Sequence, residues 1–273
     1  MLAYGVKPSR SIVFTGNNLM LKKLCIVVAI NISHCTLAFS SILPDTIDQV
    51  KQSVVSVATA MLTRSPRVIF YGTGFVVANG QYVMTNDHVV PKKIKHDKNE
   101  ALVIFTGEGS RSEPREAVVV MRDKLHDLAL LRIRGKPLAA VTIGNSNKVR
   151  EGERYALTGF PIGMILGQYP VTHVGIVSGK PPIVTPAPSS RQLTVEQIKR
   201  NRHPFRVFQL DAIAYPGNSG SPLYDVDNGR VVGIVNSVFV KKSKESVLSS
   251  PSGITYAIPA EYINRLLKKA GLQ

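Results

Sequence analysis

The chain has 273 residues, 44% hydrophobic and 19% charged, with a formal net charge of +16. That apolar content excludes a disordered chain, and the length is enough for one large domain or two small ones. The positive charge lies in short clusters (Lys92, Lys93 and Lys95; Lys199, Arg200 and Arg202; Lys241, Lys242 and Lys244; Lys268 and Lys269) separated by apolar runs. No nucleic-acid motif accompanies them, so no nucleic-acid partner is expected; the clusters read as solvated surface, with an anionic envelope surface as the alternative partner.

From Met20 the chain reads MLKKLCIVVAINISHCTLAFSS. Lys22 and Lys23 precede an apolar core, Leu24–Ile32, and small residues follow around Thr36, Leu37 and Ala38, the layout of an export signal. The core is short of the roughly 20 apolar residues that a membrane span needs. Residues 1–38 are therefore expected to be a signal segment, with Met20 a candidate start, and the protein to be periplasmic or secreted. An uncleaved anchor is the rival reading. Both cysteines, Cys25 and Cys35, fall in this segment, so the exported product is expected to rely on its core without disulfides.

An amphipathic opening covers Pro44–Ala60, after which the pattern changes to short strands. Gly72–Val77 and Gln81–Thr85 form a hairpin about the Asn79–Gly80 turn. Further strands are expected at Ala101–Phe105, Ala117–Arg122, Leu128–Ile133, Arg154–Thr158, Thr172–Ser178, Val207–Leu210, Pro222–Tyr224, Val231–Val240 and Thr255–Pro259. Residues 179–205, rich in Pro, Ser and Arg, read as a long loop. Glu261–Ala270 reads as a helix, with Ile263, Leu266 and Leu267 at helical spacing and Gly271 just past its end. Many short strands without β–α alternation argue for an all-β barrel or sandwich. There is no P-loop, no Rossmann glycine pattern and no metal-ligand spacing among His34, His88, His96, His126, His173 and His203, so no metal or other cofactor is expected.

The chemistry concentrates in YPGNSGSPL, residues 215–223. Serine acyl transfer needs an exposed hydroxyl and peptide N–H groups aimed at the developing oxyanion. Gly217 can take a positive φ without steric cost, and the N–H groups of Gly217 and Ser219 can then form an oxyanion hole. An ordinary hairpin loop is the plain alternative for this stretch on its own. A serine also needs a base, and VMTNDHVV offers His88 after an apolar strand. The base needs an orienting acceptor, and HDLALLRI places Asp127 at the head of another apolar strand. Asp87 and His126 are the competitors. Each adjoins its would-be partner, and neighbours on a strand face opposite ways.

Taken in order, GTGFVV, VMTNDHVV, HDLALLRI, YALTGFPIG, GIVSG, LDAIAYPGNSGSPLYD, VVGIVNS and ITYAIPAEYINRLL resemble the trypsin-like serine proteases, and among them the bacterial HtrA/Deg-type group, from about residue 45 to 270. The resemblance implies two Greek-key antiparallel β-barrels with a C-terminal helix, over 45–140 and 141–273, with His88 and Asp127 on the first and Ser219 on the second. It implies a serine endopeptidase acting on protein or peptide substrates, such as unfolded or envelope proteins. Ile213, Ala214, Val235, Asn236 and Ser237 fall where such folds wall the specificity pocket. None is acidic, so small or medium aliphatic residues are expected before the cleaved bond, and the backbone of 235–237 is expected to pair with an extended substrate. A non-catalytic binding module on the same fold is the alternative. Three departures from the pattern stand out. Ser221 replaces a glycine, Asp87 stands where the family often has Asn, and no segment of this sequence corresponds to the PDZ domain of many members.

Overall fold

The computed structural model describes residues 42–161, 167–183, 204–236 and 254–273. The expected signal segment, the interior of the long loop, the end of the strand expected to run to Val240, and Ser237 lie outside these residues. The described chain opens with helix α1 (Ile42–Lys51). Six strands then close a first barrel: β1 (Val54–Ala60), β2 (Val68–Val77), β3 (Tyr82–Thr85), β4 (Ala101–Thr106), β5 (Glu113–Asp123) and β6 (Leu128–Ile133), in the order β1-β2-β3-β6-β5-β4. Six more close a second: β7 (Arg154–Gly159), β8 (Val171–Gly179), β9 (Phe208–Asp211), β10 (Pro222–Asp225), β11 (Val231–Asn236) and β12 (Ile254–Pro259). Helix α2 (Ala260–Lys269) ends the fold. The second barrel runs β7-β8-β9-β12-β11-β10, so both are wound the same way, and every strand pair is antiparallel.

The opening segment corrects one expectation. Pro44–Ala60 is not a single amphipathic stretch ahead of the strands. The helix stops at Lys51, and Val54–Ala60 becomes the strand that closes the first barrel by pairing with both β2 and β4. Its sequence, VVSVATA, is rich in β-branched residues and buried along nearly its whole length, which suits a closed barrel better than a half-wet helix.

Strands in this fold are apolar on both faces because they have two places to bury side chains. In β6, Ala129 and Leu131 fill the first barrel, whereas Leu128 and Leu130 point into a core shared with the second. In β11, Val232 and Val235 fill the second barrel, whereas Val231 and Ile234 join the shared core. Helix α2 adds Ile263, Leu266 and Leu267 to the same core. Each fully buried Leu or Ile contributes about 1.5–3 kcal/mol, so this seam adds to what the barrel interiors hold. Among the described residues no helix is long and apolar enough to cross a membrane.

Candidate active site

The pairing of β3 with β6 sets the first half of the site. Thr85, the last residue of β3, lies opposite Ala129, the second of β6. The chain leaving β3 therefore passes the chain entering β6. It does so as a 3-10 turn, Asp87–Val89, not as a continued strand. Across the gap stands Asp127, with φ +53°, a left-handed conformation that costs a non-glycine residue energy and persists only when its surroundings hold it.

Those surroundings are on both sides of the residue. The Asp127 carbonyl accepts from the Asp87 N–H at 3.1 Å and from Asn86 Nδ2 at 3.0 Å. Its Oδ1 accepts from the His88 N–H at 2.9 Å. Its Oδ2 meets His88 Nδ1 at 2.6 Å and accepts from Asn236 Nδ2 at 2.5 Å. An acceptor on Nδ1 fixes the imidazole tautomer and leaves Nε2 as the basic nitrogen. The acid side chain is 13% exposed and the imidazole 29%, so the orienting group is the more covered of the two.

The competitors weighed in the sequence have partners of their own. Asp87 pairs with Arg122 at 2.6 Å. His126 takes Asp123 Oδ2 at 2.7 Å, and its ring stacks on Tyr262 with centroids 4.1 Å apart. Neighbouring side chains do not alternate faces within a 3-10 turn as they do on a strand; what occupies Asp87 is Arg122.

The second half of the site is the turn before β10. Gly217 has φ +101° and Gly220 φ +90°. The turn is closed by Asn218 N–H on the Tyr215 carbonyl and Ser221 N–H on the Asn218 carbonyl, both at 3.0 Å. Gly220 has to be glycine on a second count, since a Cβ there would collide with the Thr73 carbonyl. The departure at Ser221 fits sterically, although its buried Oγ has no hydrogen-bond partner among the described residues. It keeps a negative φ, and its Oγ lies where a Cβ on Gly159 would be. Ser219 itself is 5% exposed, less open than the sequence suggested, because strand β2 lies close against it.

Thr73 on β2 fastens this turn to the first barrel. Its N–H donates to the Ser219 carbonyl at 2.9 Å, and its hydroxyl donates to the Gly217 carbonyl at 2.7 Å while accepting the Phe160 N–H at 3.0 Å. Gly72 is squeezed in the same place: a Cβ there would come within 2.8 Å of the Ser219 carbonyl and 2.9 Å of the Val89 side chain. The serine turn and the histidine turn thus flank one glycine. Sequence reading placed GTGFVV near the histidine but assigned Thr73 no role; its hydroxyl between two glycines was the available signal.

Of the expected pocket residues, Ile213 and Ala214 lie half-buried between β9 and the serine turn. The Val235 side chain is buried inside the second barrel. Its carbonyl accepts the Gly220 N–H and its N–H donates to the Ser221 carbonyl, both at 2.9 Å. Neither group of Val235 is therefore available to a substrate strand, which takes Val235 out of the pairing expected over 235–237; Ser237 lies outside the described residues. Asn236, expected on the pocket wall, turns its amide to Asp127. The last two residues of β11 thus touch the serine turn and the acid in succession. Among the described residues no three His, Cys, Asp or Glu side chains are grouped as a metal site requires.

A profile of the trypsin-like peptidase domain matches residues 72–234. The chain belongs to the trypsin-like peptidase family. A protein of Pseudomonas putida strain W619, named "Probable periplasmic serine endoprotease DegP-like", is 34% identical over 203 residues, covering 73% of this chain and 35% of its own length. A protein of the same name from Chlamydia pneumoniae is 32% identical over 196 residues, covering 72% and 33%. The chain thus spans about a third of the length of the curated relatives it matches. Among solved structures, the HtrA-type protease AlgW with a decapeptide aligns with a TM-score of 0.62 at 22% identity, over 84% of this chain and 67% of that one. AlgW with a tripeptide gives 0.58 at 24%, over 83% and 62%. These likenesses show that the trypsin-like peptidase fold is shared.

Proposed function

We propose that the chain is an exported serine endopeptidase in which Ser219 is the nucleophile, His88 the base and Asp127 the residue that orients it. The observation that carries the reading is the 2.6 Å contact between His88 Nδ1 and an Asp127 held by four further hydrogen bonds. Ser219 Oγ attacks the scissile carbonyl and its proton passes to His88 Nε2. The N–H groups of Gly217 and Ser219 receive the oxyanion. Collapse breaks the C–N bond, and the same proton leaves with the amine. Water, deprotonated by His88, then hydrolyses the acyl-enzyme. Asp127 holds the Nδ1 side of the ring and stabilises the imidazolium.

The relatives' names support a periplasmic location, and the AlgW complexes with a tripeptide and a decapeptide support peptides as ligands. Ile213 and Ala214, apolar and uncharged beside the serine turn, favour small or medium aliphatic residues before the cleaved bond, because an unpaired Lys or Arg is costly against such a wall. The test is labelling with a fluorophosphonate probe, followed by profiling on a fluorogenic peptide library. The wild type is expected to label, Ser219→Ala to remain unlabelled, and aliphatic peptides to be cut best. Equal labelling of both proteins would remove Ser219 from its role, and a strong arginine preference would overturn the substrate assignment.

A further inference from the structure

Asp87 sets a problem that Arg122 solves. A base must rest neutral, and a second carboxylate near the imidazole, added to Asp127, favours the imidazolium before any substrate is bound. Asp87 directly precedes His88 in the same 3-10 turn. Its side chain is met by Arg122, reaching across from β5, with Nη1 2.6 Å from Oδ1. The same guanidinium also donates to the carbonyls of Asp87 at 3.2 Å, Val90 at 3.4 Å and Pro91 at 3.1 Å. One side chain thus holds the turn at its start and just past its end. The Arg122 and Asp87 side chains are 23% and 16% exposed, so water screens the pair less than it would a surface ion pair.

We propose that Arg122 is a positioning residue for His88: it pins the 87–91 segment to β5 and cancels the charge of Asp87 beside the imidazole. The inference rests on His88 being the base. The other groups around the imidazole fit it. Asp127, from the turn before β6, binds the ring itself. Asn236, from β11, is neutral and binds Asp127. His126 is engaged with Asp123. Lys92 and Lys93, following Pro91, are exposed. Arg122 is therefore the cation that answers Asp87. Lysine could supply the charge but not the several donors spread over one planar head.

The test follows the His88 imidazole by NMR titration, with its signal assigned by its loss in His88→Ala, in parallel with the pH profile of kcat/KM on a peptide substrate. Arg122→Gln is expected to raise the midpoint by about half to one pH unit, moving the acid limb of the profile with it, as an unpaired neighbouring carboxylate does. Asp87→Asn combined with Arg122→Gln is expected to return the midpoint to the wild-type position. Arg122→Lys is expected to keep the midpoint but lower kcat about tenfold, because the loop carbonyls lose their donors. An unmoved midpoint in Arg122→Gln, or a shift that persists in the double variant, overturns the proposal. The NMR midpoint is read whether or not the protein cuts peptides. Absent cleavage with a shifted and rescued midpoint would count against the proposed activity and leave the Asp87–Arg122 coupling standing.

Discussion

Asp127 is the residue on which most of the local structure converges. Its left-handed backbone is strained for a residue with a side chain, yet five hydrogen bonds from Asn86, Asp87, His88 and Asn236 hold it. The Asn236 amide is the only one of these donors that comes from the second barrel. Hydrogen bonds to a charged acceptor are worth about 1.5–3 kcal/mol, so Asn236→Ala is expected to lower kcat by roughly ten- to a hundredfold. KM is expected to change little, because Asn236 aims at the acid. Steady-state kinetics on one good peptide substrate checks both. The sequence carried the identity of Asp127 through its place before LALLRI. It could not carry the role of Asn236, because a link between residues 109 positions apart depends on how the two barrels pack.

At the scale of the element, the strands show what a sequence can and cannot convey. Leu128–Ile133 is observed with the bounds expected, because apolar residues on both faces end abruptly at Asp127 and Arg134. Strand β5 is longer than expected, Glu113–Asp123 in place of Ala117–Arg122. Its first residues are polar and gain their place by pairing with β4. Strand β1 was hidden in the amphipathic opening for a related reason, since its burial comes from partners far along the chain. The β5–β6 turn has a pH dependence of its own. Burial pushes the Asp123 carboxyl up, but hydrogen bonds from the His126 ring and N–H together outweigh it and hold it below its ordinary value of 3.8. A carboxyl lowered in the folded state adds stability above the unfolded value, and that stability is lost as pH falls through the folded value. Asp123→Asn is therefore expected to cost about 1 kcal/mol at neutral pH. The difference in melting temperature from the wild type should shrink on acidification below about pH 4 and vanish once both states are protonated.

Over the whole molecule, the two barrels have the same winding, and the candidate site lies where they meet. Thr73 is the fastening there. Thr73→Val keeps the shape but leaves the Gly217 carbonyl and the Phe160 N–H without their hydroxyl partner, at about 1–3 kcal/mol for the buried N–H and less for the part-buried carbonyl. A lower melting temperature and slower fluorophosphonate labelling are expected together, and Thr73→Ser should restore both. A variant that melts lower yet labels at the wild-type rate would mean that Thr73 supports the fold without setting the serine turn.

The division of the site between the barrels also bears on how such a protein is made. Each barrel is continuous in sequence, strands β1–β6 before β7–β12. On the proposed reading the base and its acid belong to the first, the nucleophile to the second. A complete but unfolded chain therefore carries every reactive side chain and no assembled chemistry. The first barrel by itself holds the base and its acid without the nucleophile. On that reading, cutting power would arrive only once both barrels are closed and Thr73 holds the serine turn.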